Sequence, residues 1–350
     1  MIRLAWPDLG PEELAEVAEV LESGRLTMGP KVAEFEAALA RVCGRDHVVA
    51  VSSGTAALHL ALLALGIGEG DEVIVPAYTF PATANVVALA GARPVLVDVD
   101  PETMNIDPAA VAAAVTPRTR AVMVVHLFGR PARWDKVREA VPGGVHLIED
   151  AAGALGGRRR GVPCGGLGEV ACLSFHPRKI VTTGEGGAVV CADKEVAGRV
   201  RTLRHHGQRA DGEFETAAFN YRLSDILAAV GLPQTRRLDE LLETRARLAA
   251  AYTERLRDCF ETPAADDGDV HGWQAYVITV DRRDARLAAL RKAGIEAQIG
   301  TYALHLLAPY GDQGPFPGAE ACYHTNLALP LHSRLGENDV GRIVAALTGQ

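Results

Sequence analysis

With 350 residues, 48% of them hydrophobic and 23% charged, the chain has the composition of an ordinary soluble globular protein of about two or three domain equivalents. A formal charge of -8, with no dense Lys/Arg tract, excludes nucleic acid or an anionic membrane as the main partner; the one basic run, Arg158-Arg159-Arg160, reads as a solvated turn. No apolar run approaches the ~20 residues that span a bilayer, and the start MIRLAWPDLG lacks the basic-then-apolar pattern of a signal peptide.

Pro11 to Leu21 shows apolar residues at helical spacing and stops at Ser23-Gly24; Val32 to Cys43 repeats the pattern and stops at Gly44. His47 to Val51 is a short β-branched strand that runs into Ser52-Ser53-Gly54-Thr55 and a helix from Ala56 to Leu65. A small-residue turn at a helix start presents free backbone N–H groups and hydroxyls at the positive end of the helix dipole, which suits a phosphate as well as it suits ordinary helix capping. Strands are then predicted over Asp71–Val75, Pro94–Val99, Arg120–Val125 and Val145–Ile148, with helices over Ala82–Ala90, Pro108–Val115 and Trp134–Ala140 between them. Such alternation predicts a parallel or mainly parallel sheet covered on both faces, with ligands beyond the strand C-termini. Ser53/Thr55, Tyr78/Phe80, His126 and Glu149-Asp150 all stand at or just past such ends.

Glu169 to Phe175 and Ala188 to Cys191 are two further apolar runs, and between them lies Ser174-Phe175-His176-Pro177-Arg178-Lys179 followed by a Gly-Glu-Gly-Gly tract. Of the 36 basic residues only five are lysines, at 31, 136, 179, 194 and 292. Arginine cannot replace lysine where a free amine must lose its proton and attack a carbonyl, which singles out Lys179 on its glycine-rich turn. Beyond it, Ile226–Gly231 and Pro233–Tyr252 are predicted as helices, the second long and amphipathic. Trp273–Val280 opens a second α+β region of strand, helix (Ala285–Ala293), strand and terminal helix (Glu337–Leu347). The expected division is a large domain over residues 1–240 and a small C-terminal domain over 241–350. The six cysteines form no C-x-x-C pair and are expected as free, buried thiols in a cytoplasmic protein; the eleven histidines show no ligand spacing, so no metal site is expected.

A phosphate cradle, an aromatic ring, a carboxylate and a lysine in one pocket are what pyridoxal phosphate needs. Ser53, Gly54, Thr55 and Ser174 are the candidates for its phosphate, Phe80 for stacking on its ring with Tyr78 as second choice, Asp150 for its pyridine nitrogen and Lys179 for its aldehyde.

In order and spacing, SSGTAALHLALLALGIGEGDEVIVPAYTF, GARPVLVDVDPETMNID, IEDAAGALGG, SFHPRKIVTTGEGGAVV and FNYRLSDILAA resemble the DegT/DnrJ/EryC1/StrS aminotransferases. The resemblance covers the whole chain. It implies the fold type I architecture of pyridoxal-phosphate enzymes, like aspartate aminotransferase, with a seven-stranded, mainly parallel large domain. It implies transfer of an amino group from glutamate or glutamine, through the pyridoxamine form of the cofactor, to a keto sugar that is usually nucleotide-linked. It also implies the roles given above to Lys179, Asp150, Ser174, Gly54-Thr55 and Phe80, and a homodimer in which Asn220 reaches the neighbouring subunit's cofactor. His176, His206 and Arg222 match motif positions near the site, and Tyr78, His176, Tyr302 and His305 are candidates for contacts with the substrate. Two departures stand out: Gly153 replaces the family's common Gln or His, and Gln298 to His305 lacks the common H-Y-P. Alternatives are a dehydratase or epimerase on the same cofactor, which the presence of Lys179 disfavours, amination of a keto-cyclitol, and a non-catalytic ligand-binding regulator, which would carry an added DNA-binding or signalling segment.

Overall fold

The computed structural model describes residues 1–349. The Val-, Ile- and Ala-rich runs become seven strands of one sheet: β1 (His47–Val51), β2 (Glu72–Pro76), β3 (Arg93–Val97), β4 (Thr119–Val125), β5 (His146–Asp150), β6 (Val170–Ser174) and β7 (Gly187–Cys191). Across the sheet their order is β1-β7-β6-β5-β4-β2-β3. The contiguous block from β6 to β3 is parallel, and β7 is antiparallel to both of its neighbours.

Side chains alternate between the two faces with period two, and both faces are buried. On one face Val73, Val75, Ala121, Met123, Val49 and Cys172 join one core; on the other Ile74, Val122 and Val124 join a second core, and Val48, Ala50 and Leu173 a third. Helices α1 (Pro11–Ser23), α2 (Pro30–Cys43), α3 (Gly54–Ala64), α4 (Ala82–Leu89), α5 (Pro108–Ala114), α6 (Trp134–Glu139), α7 (Lys194–Arg204) and α8 (Asp225–Arg236) surround the sheet. Buried residues of α3, α4 and α7 complete the first core, those of α5 and α6 the second, and those of α2 and α8 the third.

The C-terminal region builds an antiparallel layer from β8 (Tyr276–Thr279), β9 (Gln298–Ile299) and β10 (Asn326–Leu329), in the order β8-β10-β9. Its core contains Tyr252, Tyr276, Leu290 and Ile343, and the start of the chain inserts into it through Ile2. Ile2 donates its N–H to the Gly294 carbonyl (2.8 Å) and accepts from the Glu296 N–H (2.8 Å).

Two predicted elements are corrected. Arg158-Arg159-Arg160 is not a solvated turn, since Arg158–Arg159 form a short strand and Arg159 is buried between Asp135 and Asp269, which neutralise it. The long helix expected over Pro233–Tyr252 is two: α8 runs on through Pro233 to Arg236, and α9 spans Leu238–Leu256. Proline lacks an N–H and crowds the preceding turn, so a helix that contains one loses continuity nearby. The break falls at Arg237 (φ -110°, ψ 24°), whose guanidinium is held by Asp8 Oδ1 (2.6 Å) and Glu13 Oε1 (2.7 Å). All six cysteines are free; five are buried as expected, and Cys259 is exposed. Among the described residues no helix is long and apolar enough to cross a membrane.

Candidate active site

Register decides what meets at the mouth of the sheet. Val125 lies opposite Asp150, Asp150 opposite Cys172, and Ser174 opposite Gly187, which in turn lies opposite Val51. Asp150 therefore sits about two residues deeper than Ser174, or about 7 Å at the rise of a strand. The result is a cavity of about 470 Å³ with Asp150 low in its wall and Ser53, Gly54, Thr55 and Ser174 near its rim; Phe80, His126, His176 and Lys179 also line it.

The rim is a helix start. Ser53 caps α3, its Oγ accepting from the Ala56 N–H at 3.0 Å, while the Ala57 N–H goes to the Ser53 carbonyl. This leaves the Gly54 and Thr55 amides of the first turn without an intrahelical partner, at the positive end of the helix dipole. A Cβ on Gly54 would lie 2.8 Å from Ser174 Cβ, so only glycine lets α3 approach β6 closely enough for both to bound one anion-sized cradle. Gly54→Ala is expected to weaken phosphate-dependent cofactor binding about tenfold or more and to destabilise the fold by about 1–3 kcal/mol, as overpacking does; equilibrium dialysis of the cofactor and thermal melting measure the two.

Asp150 is only 5% exposed. Its Oδ2 accepts from Thr83 Oγ1 (3.0 Å) and its Oδ1 from the Ala152 N–H (3.2 Å), and it forms no ion pair among the described residues. Burial raises its pKa above the ordinary carboxylate value; the hydrogen bonds from Ala152 and Thr83 and the charge of Lys179 pull the other way without cancelling it. Burial likewise pushes the Lys179 amine below its ordinary value, against the attraction of Asp150 and aided by the charge of Arg178. Desolvation thus outweighs the mutual attraction of the two groups, and each is biased toward its uncharged form.

The lysine turn is pinned at several points. The Lys179 N–H donates to the His176 carbonyl (2.8 Å), and Phe175 O accepts from the Thr183 N–H (2.9 Å) and Thr182 Oγ1 (2.8 Å). From α8, fully buried Gln234 accepts from the Thr182 N–H (3.0 Å) and donates to the Thr182 carbonyl (2.8 Å). Gly186 is required here because a Cβ would fall 2.2 Å from Thr183 Oγ1. Gln234→Ala would leave both polar groups of Thr182 buried without partners and is expected to cost about 2–4 kcal/mol. Denaturant unfolding measures this, and a cost below about 1 kcal/mol would show that water replaces the amide.

These residues fit pyridoxal phosphate on structural grounds. A buried carboxylate with no ion-pair partner suits a protonated pyridine nitrogen, a desolvated amine suits an aldehyde, and free helix-start amides suit a phosphate. His126, Glu149 and Cys164 are close enough to suggest a metal site. They are already satisfied without one. His126 Nδ1 accepts from the Ala132 N–H (2.9 Å), so Nε2 carries the proton and donates to Glu149 Oε1 (3.0 Å); Glu149 also accepts from the N–H groups of Gly165, Leu167 and Gly168.

Six sequence candidates do not line the cavity: His206, Arg222, whose Nη1 lies 2.6 Å from His205 Nδ1, and the four that follow. Tyr78 is buried, and its oxygen accepts from the Thr301 N–H (3.1 Å) and Asn326 Nδ2 (3.2 Å), bracing the loop behind the cavity wall. His305 is buried with Nε2 3.1 Å from Glu320 Oε1. Tyr302 is outside the wall but meets Phe80 edge-on at 6.3 Å. Asn220 is exposed and paired by a β-bridge with His205. Sequence reasoning missed Thr83 and Gln234, and it missed Gln274 and Gln298, which reach the cavity wall from the C-terminal region. Gln274 is also the neighbour of Gly153: a Cβ there would lie 3.4 Å from Gln274 Oε1, an ordinary contact, so the amide lies beside the bare backbone without requiring glycine.

Comparison with known proteins agrees with this geometry. The model of the DegT/DnrJ/EryC1/StrS aminotransferase family matches residues 7–348. GDP-perosamine synthase of Caulobacter vibrioides is 40% identical over 99% of this chain and 97% of its own. The aminotransferase TlmJ of Streptoalloteichus hindustanus superposes with a TM-score of 0.95 at 37% identity, over 100% of this chain and 98% of that one. The sugar aminotransferase Spr1654 of Streptococcus pneumoniae, in its pyridoxamine phosphate (PMP) form, gives 0.95 at 29% identity, over 99% and 96%. The chain belongs to the DegT/DnrJ/EryC1/StrS aminotransferase family and is a pyridoxal-phosphate-dependent aminotransferase.

Proposed function

We propose that this aminotransferase moves an amino group from glutamate or glutamine to the ketone of a nucleotide-linked sugar. The observation that carries the chemistry is the pairing, in one cavity, of an uncompensated buried carboxylate at Asp150 with an amine at Lys179 that burial holds toward its neutral form. The sugar-nucleotide acceptor is supported by the likeness to GDP-perosamine synthase and to sugar aminotransferases.

When bound, pyridoxal phosphate supplies an aldehyde that exchanges amines and a ring that accepts electrons. Asp150 holds the positive charge of the ring nitrogen in place, with Thr83 orienting its carboxylate. The Gly54 and Thr55 amides, with the hydroxyls of Ser53, Thr55 and Ser174, bind the phosphate, and Phe80 covers the ring. Lys179 Nζ, once free, takes and returns the proton at the substrate carbon that carries the nitrogen. We assign substrate contacts to His176, and we place the chain in the cytoplasm as a homodimer whose exposed Asn220 reaches the other subunit's site. The boundary between a large and a small domain we place near residue 240.

Incubating the holoenzyme with glutamate and a panel of nucleoside-diphosphate-linked 4-keto-6-deoxyhexoses, with keto-cyclitols alongside, tests this reading by mass spectrometry. The expected product is an aminated sugar nucleotide and one equivalent of 2-oxoglutarate. Amination of a cyclitol alone, or of none of the sugars, would overturn the assignment of the acceptor.

A further inference from the structure

Arg178 precedes Lys179 directly and lines the same cavity. Its guanidinium has five N–H donors. One of them, on Nη1, donates to the side-chain oxygen of Gln298 at 2.8 Å, and it pairs with no carboxylate among the described residues. Its backbone is held from the same direction, because Gln274 Nε2 donates to the Arg178 carbonyl at 3.2 Å. Two neutral amides from the C-terminal region thus fix both ends of this residue while leaving its charge uncompensated.

Carboxylates stand beside Arg130, Arg159, Arg237 and Arg283, whose guanidinium groups are largely buried, whereas the more exposed Arg178 at the cavity wall has neutral amide partners alone. A cation oriented by amides and left without an acid, at the wall of a reaction cavity, is arranged for an anion that arrives from outside. The proposed reaction supplies two kinds: the carboxylates of the amino donor and the phosphates of the acceptor. The donor's α-carboxylate is bonded to the same carbon that carries the nitrogen exchanged at Lys179, whereas the phosphates lie a sugar ring away from the reacting ketone. Arg178 and Lys179 are consecutive, with Cα atoms about 3.8 Å apart, so adjacency selects the α-carboxylate.

We propose that Arg178 is the residue that recognises the α-carboxylate of the amino donor, and that Gln298 and Gln274 are positioning residues that aim it from across the cavity. This rests on the reading of the protein as an amino-acid-dependent sugar aminotransferase and names the recognition element for its donor. The arrangement explains why the turn bearing the lysine is tied to the C-terminal region: a shift of β9 moves the donor's anchor together with the backbone next to the reacting amine.

The test is calorimetric titration of holoenzyme with glutarate, an unreactive dicarboxylate of the donor's length, in wild type, Arg178→Gln, Arg178→Lys and Gln298→Ala. Glutarate is expected to bind wild type and to bind Arg178→Gln about 30-fold more weakly or worse, since a charge-assisted forked contact is lost. Arg178→Lys is expected to recover only part of this, because a point charge lacks the planar fork. Gln298→Ala, which keeps the charge and loses its aim, is expected to lose about three- to tenfold. In single-turnover assays the glutamate half-reaction of Arg178→Gln should lose about tenfold more than the acceptor half-reaction. The proposal is overturned if glutarate does not bind wild type, if it binds wild type and Arg178→Gln equally, or if the Arg178 variants weaken binding of a free nucleoside diphosphate instead. Arg178-dependent glutarate binding in a protein that aminates no sugar would sink the acceptor assignment and leave this site standing.

Discussion

Replacing Lys179 by alanine is expected to lower amino transfer by about ten-thousand-fold or more, because both the covalent role of the amine and its proton transfer are lost together. The visible absorption of lysine-bound cofactor should disappear, while cofactor held by its phosphate alone remains detectable in the ultraviolet. The cofactor-free variant is expected to fold, and to melt no lower than wild type, because the substitution removes an amine that burial disfavours and that makes no hydrogen bond among the described residues. Arg178→Gln provides the contrast, since its amine is intact and its absorption band should persist. Turnover by Lys179→Ala within tenfold of wild type would remove the lysine from the chemistry.

Asp150→Asn is expected to reduce turnover by roughly 100- to 1,000-fold, the size of losing one preorganised electrostatic partner. Its effect on stability has a definite sign. The folded-state pKa of Asp150 is raised, chiefly by burial. The stability this carboxyl contributes is therefore complete below its unfolded value, about 3.9, and is lost as pH rises through the folded value. Near neutral pH the cofactor-free protein bears that loss and Asp150→Asn does not. Without cofactor the variant should melt above wild type near pH 7, and the difference should close toward pH 4. Added cofactor should reverse the order, since a cationic ring compensates the carboxylate and leaves the amide with a weaker partner. A cofactor-free variant that melts below wild type at neutral pH would mean that the Thr83 and Ala152 hydrogen bonds outweigh desolvation.

Both predictions concern residues that could be singled out before any fold was known, and the reason is local. Asp150 closes the run VHLIED, and Lys179 stands on a turn between two apolar runs, so period and turn chemistry alone place each at a strand end. The supporting residues carry no such signal. Thr83 lies inside α4, 67 positions from the carboxylate it orients, and Gln234 lies inside α8, 52 positions from the turn it pins. A threonine or glutamine within a helix is ordinary in sequence, and becomes an anchor only when packing turns it toward an otherwise unpaired group.

Tyr78 shows the converse. It stands just beyond a strand end in an aromatic-containing loop and so reads as a site residue, yet its ring is directed behind the cavity wall and its oxygen is saturated by Thr301 and Asn326. Which face of such a loop looks into the cavity depends on the pairing of Tyr78–Thr79 with Tyr302–Ala303, a contact between distant parts of the chain.

The sequence by itself determined the alternating strands and helices, the helix-start cradle, the acid and the lysine, because each follows from side-chain periodicity, glycine placement or residue chemistry within a short window. Only the tertiary structure decided which strands lie side by side, that α8 and α9 part at Arg237, and that Gln274 and Gln298 reach across to Arg178. Those outcomes depend on which buried polar groups find partners far along the chain, and the free energy of such long-range pairing is written in no local pattern.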